Sequence, residues 1–253
     1  VDVLSIDARR FVAQSRPRLF LIGSVLPVQS AVNPGVLRPE WLAPVFDDPA
    51  LRTHRMSVPE PPALMSDGLS DHIETMDEDD PRWWSDTRVR AFVESLSDLQ
   101  SERLEALRAS GTVIFRTAYR RMRKGVPRWE IRSDGVSGCL RTASGGSSKQ
   151  AIVMLRGGSV RVRWMSPNEY ASLMGAPDFP IGSVSTNQAY SGFGDAVCVP
   201  VVSWLAENYL LPMLAMVEDA SMIQELESTG SPTDVSGFDS PRIEASAMSL
   251  SDH

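Results

Sequence analysis

Three short segments, widely spaced and in a fixed order, constrain what this chain can fold into. They cover residues 14–23, 163–178 and 194–197. In the first, Gln14, Arg16 and Arg18 alternate around Pro17 and lead into the apolar Leu19, Phe20, Leu21 and Ile22. Side chains at i and i+2 of an extended backbone share one side. Arg16 and Arg18 therefore read as a cationic clamp at a strand end, suited to a planar acceptor or a phosphate. Two solvated arginines on an exposed loop are the alternative. The second segment reads as architecture. Ser166 is a good N-cap, Pro167 suits the first helical position, Glu169 can reach back from N3, and Gly175 ends the helix. In the third, Gly194 and Asp195 are expected to open a long last helix reaching Met216. Its apolar residues include Val197, Val201, Val202, Leu205, Tyr209 and Leu210. A helix N-terminus offers free backbone donors to an anion, although most such pairs are simply caps.

Between these segments the pattern is mixed. Residues 1–6 alternate apolar and polar at period two, a strand. Residues 18–23 form a second and more buried strand. Residues 26–72 hold eight prolines and little periodicity, so irregular structure is expected. Residues 87–108 have helical spacing, in one or two helices. Strands are expected at 111–115 and 128–131, flanking the turn-like Lys124-Gly125. A hairpin is expected from 151–155 and 160–164 around Gly157 and Gly158. No internal repeat is present.

Charge matters through its position. The net charge is −7, which looks wrong for a nucleic-acid partner. From Glu218 onward there are eight acids and one base, so the body up to residue 217 is neutral. Within that body, residues 103–132 hold nine bases against Glu105 and Glu130. Such a patch can replace counterions on a phosphate backbone, or it can be a solvated basic helix and loop. The acidic segment from 218 has few large apolar groups and reads as disordered. Only Cys139 and Cys198 are present, which argues against a disulfide framework and for a reducing cytoplasm. No run of about 18 apolar residues suggests a membrane span.

Residues 141–149 are too rich in Gly and Ser for a regular element. Gly145 and Gly146 let the backbone approach a ligand closely. Arg141, Thr142, Ser144, Ser147 and Lys149 can donate to phosphates or base edges. A flexible surface loop is the plainer reading. Cys139 lacks the context of a nucleophile, and His54, His72 and His253 show no base or metal spacing.

Taken together, the three segments resemble the last three conserved blocks of the DNA (cytosine-5) methyltransferases. The resemblance covers roughly residues 1–25 and 130–217. Ala13 stands where a proline is usual, and Met165, Ser166, Asn168 and Asp195 also depart from the family pattern. Cys139-Leu140 stands where the family has Thr-Leu. The family's nucleophilic cysteine and cofactor-binding glycines have no counterpart here. The resemblance implies an α/β fold: the C-terminal part of a Rossmann-like methyltransferase, contributing a strand hairpin and a final helix, with an inserted α+β target-recognition domain. The implied divisions are a hairpin at 1–25, a recognition domain at 26–160, a support segment at 161–190, a returning helix at 191–217 and a disordered acidic tail at 218–253.

The resemblance also implies roles. Gln14, Arg16 and Arg18 would serve the active site, Arg18 lying against an extruded cytosine. Gly194, Asp195 and Ala196 would border S-adenosylmethionine. Double-stranded DNA would meet Arg120, Arg121, Arg123, Lys124, Arg141, Thr142, Ser144, Gly145, Gly146, Ser147 and Lys149. The expected partner is an N-terminal catalytic half, in the same polypeptide or a separate subunit, without which the chain is inactive. The alternatives are a non-catalytic DNA-binding module and an assembly protein.

Overall fold

A computed structural model of the chain describes residues 1–24, 35–142 and 149–218. The acidic segment beyond 218, and Ser144, Gly145, Gly146 and Ser147, lie outside the described residues. The content is mixed helix and sheet, as an α/β chain requires.

The chain opens with a hairpin of β1 (Asp2–Asp7) and β2 (Pro17–Ile22). A 3-10 turn, Ala8–Arg10, follows β1, and the Asp7 carboxylate accepts from the backbone N–H of Arg9 and of Arg16. One carboxylate thus ties both ends of the connection. β1 buries Leu4 and Ile6 completely. β2 was expected to be the more buried strand and is not: Leu19 and Leu21 are 50% and 69% exposed. Phe20 and Ile22 use the core face, and among the described residues no further strand joins this two-stranded sheet.

The middle of the chain adds a short α1 (Ala43–Asp47), then α2 (Asp86–Glu94) and α3 (Asp98–Arg108). A second sheet follows, with β3 (Ile114–Arg123), β4 (Val126–Ile131), β5 (Ala151–Arg156) and β6 (Ser159–Trp164) in the order β4-β3-β5-β6, all antiparallel. β3 starts near the expected strand but runs through the arginine-rich stretch to the Lys124-Gly125 turn. Both turn residues have positive φ, 51° and 80°, the geometry a two-residue hairpin needs. The helices α2 and α3 cover one face of this sheet around Phe92, Leu104, Val153 and Val162.

Helix α4 (Pro167–Leu173) forms as its sequence requires. Ser166 and Glu169 make the reciprocal capping box. Glu169 also receives both Nη atoms of Arg163, one at 2.8 Å, in a pair that is almost fully buried. Losing one member of such a pair leaves a stranded charge and costs about 3–5 kcal/mol.

The final helical region departs from expectation. Gly194 and Asp195 end α5 (Thr186–Asp195), which Ser185 and Gln188 start with a second capping box. Ala196 is extended, with ψ at 161°. The next helix, α6 (Val199–Leu205), begins after Cys198 with Pro200 in its first turn. Proline at that place has no N–H to lose, so the break falls where the chain can restart a helix. A π-helical turn, Ala206–Leu210, leads into α7 (Leu211–Glu218). Val201, Leu205 and Tyr209, at i, i+4 and i+8, are buried. By length and composition alone, the stretch Thr186–Met216 could cross a membrane, although the Ala196–Cys198 break interrupts it.

Candidate active site and nucleic-acid interface

The three segments singled out in the sequence meet. Gln14 is fully buried. Its Nε2 donates to the carbonyl of Leu173 at 2.8 Å, and its Oε1 accepts from the N–H of Leu140 at 3.3 Å. Arg16 is 3% exposed. Its Nη1 donates to the carbonyl of Leu140 at 2.6 Å, and its Nη2 to those of Gly194 and Ala196, both at 2.7 Å. A planar guanidinium with several fixed donors can bridge three chain segments in this way; a lysine cannot. Burial first, then the charge of Arg18, holds the Arg16 guanidinium below its ordinary pKa. The backbone reinforces the junction: Ser15 N–H reaches Ser137 O at 2.9 Å, and Ser137 N–H reaches Ala13 O at 2.7 Å.

Gly194 has a packing reason to be glycine. A Cβ there would stand 2.3 Å from the backbone N of Thr142 and 2.5 Å from the carbonyl carbon of Arg141. The break after α5 is thus pressed against the start of the 141–149 loop. Asp195 beside it is exposed. Its carboxylate can accept from a hydroxyl or an ammonium.

Arg16 and Arg18 do point the same way, as the i, i+2 spacing requires. Cys139 Sγ lies 3.8 Å from Arg16 Nη1 and 3.5 Å from Arg18 Nη2. Arg18 is exposed and, among the described residues, otherwise donates only to the adjacent Pro17 carbonyl. Cys139 opens onto a polar cleft of about 560 Å³ that also takes in Ser15, Arg120, Arg121, Arg132, Arg141 and Gln150. The other cysteine, Cys198, is buried, and burial pushes its thiol up to about 11.

The basic stretch is less available than its sum suggests. Arg121 and Arg123 share Glu130. Arg132 makes a two-pronged pair with Asp134, 2.7 Å on each side, and Arg108 pairs with Glu105. Strand alternation also divides the stretch. Arg120 lies opposite Trp129 on the face that α2 covers, while Arg121 stands on the other face. Lys124 sits exposed at the hairpin tip. Lys149 donates to Asn187 at 3.1 Å and lies 5.1 Å from the Tyr190 ring centroid. Arg141 is exposed at the cleft. Sequence reasoning missed Arg132, Tyr119 and the Leu140 carbonyl as parts of this region. No periodicity marks them, because they are assembled by the sheet rather than by neighbours in the chain.

The junction thus joins a strand-end arginine, a capped helix and a Gly-Asp break beside a basic cleft. The family model for C-5 cytosine-specific DNA methylases matches residues 4–210. The chain belongs to that family. Membership supports DNA cytosine methyltransferase activity, with DNA as the substrate and S-adenosylmethionine as the methyl donor that the family implies. No curated protein and no solved structure matches the chain.

Proposed function

We propose that this chain is the DNA-reading and active-site-completing part of a DNA cytosine-5 methyltransferase, and that it works with a separate catalytic portion. The observation that carries this is the Arg16 junction. It holds the Gly194–Ala196 edge, the Leu140 strip and the Arg18 clamp in one place, beside the basic cleft.

In this reading Gln14 and Arg16 are positioning residues, since the Gln14 amide and both Nη atoms of Arg16 are already bonded to the protein. Arg18 is the group left to face the extruded base, with its guanidinium beside Cys139. Arg141 and the hairpin arginines meet phosphates of the duplex. S-adenosylmethionine supplies the methyl group when bound, and the Asp195 carboxylate would help hold it. The recognition region is the part built on β3 to β6 with α2 and α3, which has its own apolar cluster.

Neither cysteine suits the nucleophile's role. Cys198 is buried with a raised pKa, and Cys139 follows Gly138 rather than a proline. The nucleophile and the glycine-rich cofactor loop therefore come from another part, in the same polypeptide or as a partner subunit. The uncovered apolar side chains fit this. Leu19 and Leu21 of β2, and Val197 and Val199 at the α5–α6 break, are all exposed. Surfaces of this kind mark contact sites more often than they stand bare.

The test is duplex binding by the chain at rising salt. The reading expects affinity to fall steeply with salt, and Arg141→Gln to weaken binding and flatten that slope. Binding that ignores both salt and Arg141 would count against it.

A further inference from the structure

A second cleft lies on the face of the larger sheet that α2 covers, on the other side of β3 from Arg121. Trp84, Trp129, Trp164 and Phe92 pack there, with ring centroids 5.1–6.1 Å apart. They line an opening of about 290 Å³ together with Arg88 and Arg120. That is at the small end for a ligand site, which spans roughly 300–1,000 Å³, so it suits one small planar ligand.

Three features there are unfinished. Trp84 is 8% exposed, yet its indole N–H has no hydrogen-bond partner, and a buried polar group without one calls for an explanation. Arg88 lies 3.8 Å above the Trp84 ring and 5.5 Å from that of Trp164, and Arg120 approaches Trp129 at 6.0 Å. Neither arginine has a carboxylate partner among the described residues. Burial and then the Arg120 charge hold Arg88 below its ordinary pKa, so the two cations face one another unneutralised. Open indole faces, two unpaired guanidiniums and an orphan donor are complementary to an aromatic ring that carries negative charge. Bases stack on aromatic side chains whatever their identity, and arginine adds to the stack.

We propose that this cleft, whose lining shares Arg120 alone with that of the cleft at Cys139, binds a single nucleotide. Its base stacks on the exposed parts of Trp129 and Trp164, and its phosphate sits between Arg88 and Arg120. The nucleotide comes either from an unpaired stretch of nucleic acid or from the free pool.

The test is tryptophan fluorescence of the full chain titrated with a nucleoside monophosphate and with a short single-stranded oligonucleotide. An uncharged nucleoside and inorganic phosphate serve as controls. Saturable quenching is expected from at least one phosphorylated ligand, with weaker quenching by the nucleoside and none by phosphate. Arg88→Gln should weaken binding about tenfold or more, the loss of one charge-assisted contact. Because Arg88 is on the surface and outside the duplex cleft, the substitution should leave duplex binding intact. Trp129→Leu gives a second variant with the charges unchanged and should also weaken the ligand. An oligonucleotide that binds more tightly than the monophosphate identifies a strand as the source; equal affinities identify the free nucleotide. The proposal is overturned if neither ligand quenches saturably, or if both variants bind like the unaltered chain. Arg141→Gln separates the two sites: it weakens duplex binding alone, so either reading can fail without the other.

Discussion

Arg16 donates through Nη2 to the carbonyl of Gly194, 178 residues away, at 2.7 Å. The same guanidinium holds Leu140 and Ala196. A residue that looks like a catalytic clamp in sequence thereby acts as a structural tie, and the exposed Arg18 is left to meet a ligand.

These two arginines should separate in experiment. Arg16→Ala strands three carbonyls, two of them in buried contacts, and is expected to lower stability by about 2 kcal/mol or more, read as a shift of the urea midpoint. Arg18→Gln should leave that midpoint within about 0.5 kcal/mol, as surface changes do. In an enzyme completed by its catalytic portion, it should cut methyl transfer by about ten- to a hundredfold, the worth of one charged hydrogen bond. Equal effects on stability would remove the division of labour.

Two glycines of α5 give a paired test of the junction. Gly194→Ala drives a methyl group into the Arg141–Thr142 backbone and should destabilise by about 1–3 kcal/mol, the usual cost of overpacking. At Gly192 a Cβ meets nothing within 4 Å. There alanine should stabilise by up to about 1 kcal/mol through helix propensity. Thermal melts of both variants would decide it, and similar shifts would mean that the loop is not pressed against Gly194.

How much of this was legible follows from the kind of signal. The capping box of α4, the hairpin turns and the i, i+2 arginines are local patterns, and they stand where the sequence puts them. The end of α5 was misplaced because Ser185 and Gln188, a capping box without an apolar run behind it, carry a quieter signal than Gly194-Asp195. The exposure of β2 was misjudged because apolar strands are expected to be covered, and among the described residues only β1 pairs with it. The convergence of Gln14, Leu140, Leu173 and Gly194 is a tertiary fact that no spacing encodes. Only the resemblance to a family placed the three segments in one site.

Acid should weaken the fold in two stages. Burial depresses the folded pKa of His54 and His72 below the ordinary 6.5. Below that value the unfolded chain takes up protons that the folded one refuses, so stability falls as pH drops through 6.5. Asp2 follows. Burial would raise its carboxyl, but Arg38 at 2.9 Å and the Met56 N–H outweigh burial and hold it below 3.8. Its contribution is complete above 3.8 and is lost as pH falls through the lower, folded value. Urea midpoints measured from pH 8 to 3 should therefore decline throughout the acid range. Asp2→Asn should flatten the lower stage, and His54→Gln part of the upper one.

Cys139 stands between the two clamp arginines, and a rival account would make it the nucleophile. Replacing it with serine nearly keeps the size and removes the sulfur. We expect Cys139→Ser to retain methyl transfer in the completed enzyme and to form the covalent adduct with a 5-fluorocytosine duplex as before. Loss of that adduct would move the chemistry into this chain.

The central claim is that this chain completes an active site whose nucleophile lies elsewhere. The most direct measurement is methyl transfer from labelled S-adenosylmethionine to duplex DNA, first with residues 1–253 alone and then with a catalytic portion that carries the nucleophilic cysteine. The account predicts no transfer by the chain alone and turnover on mixing. Turnover by residues 1–253 alone would contradict it.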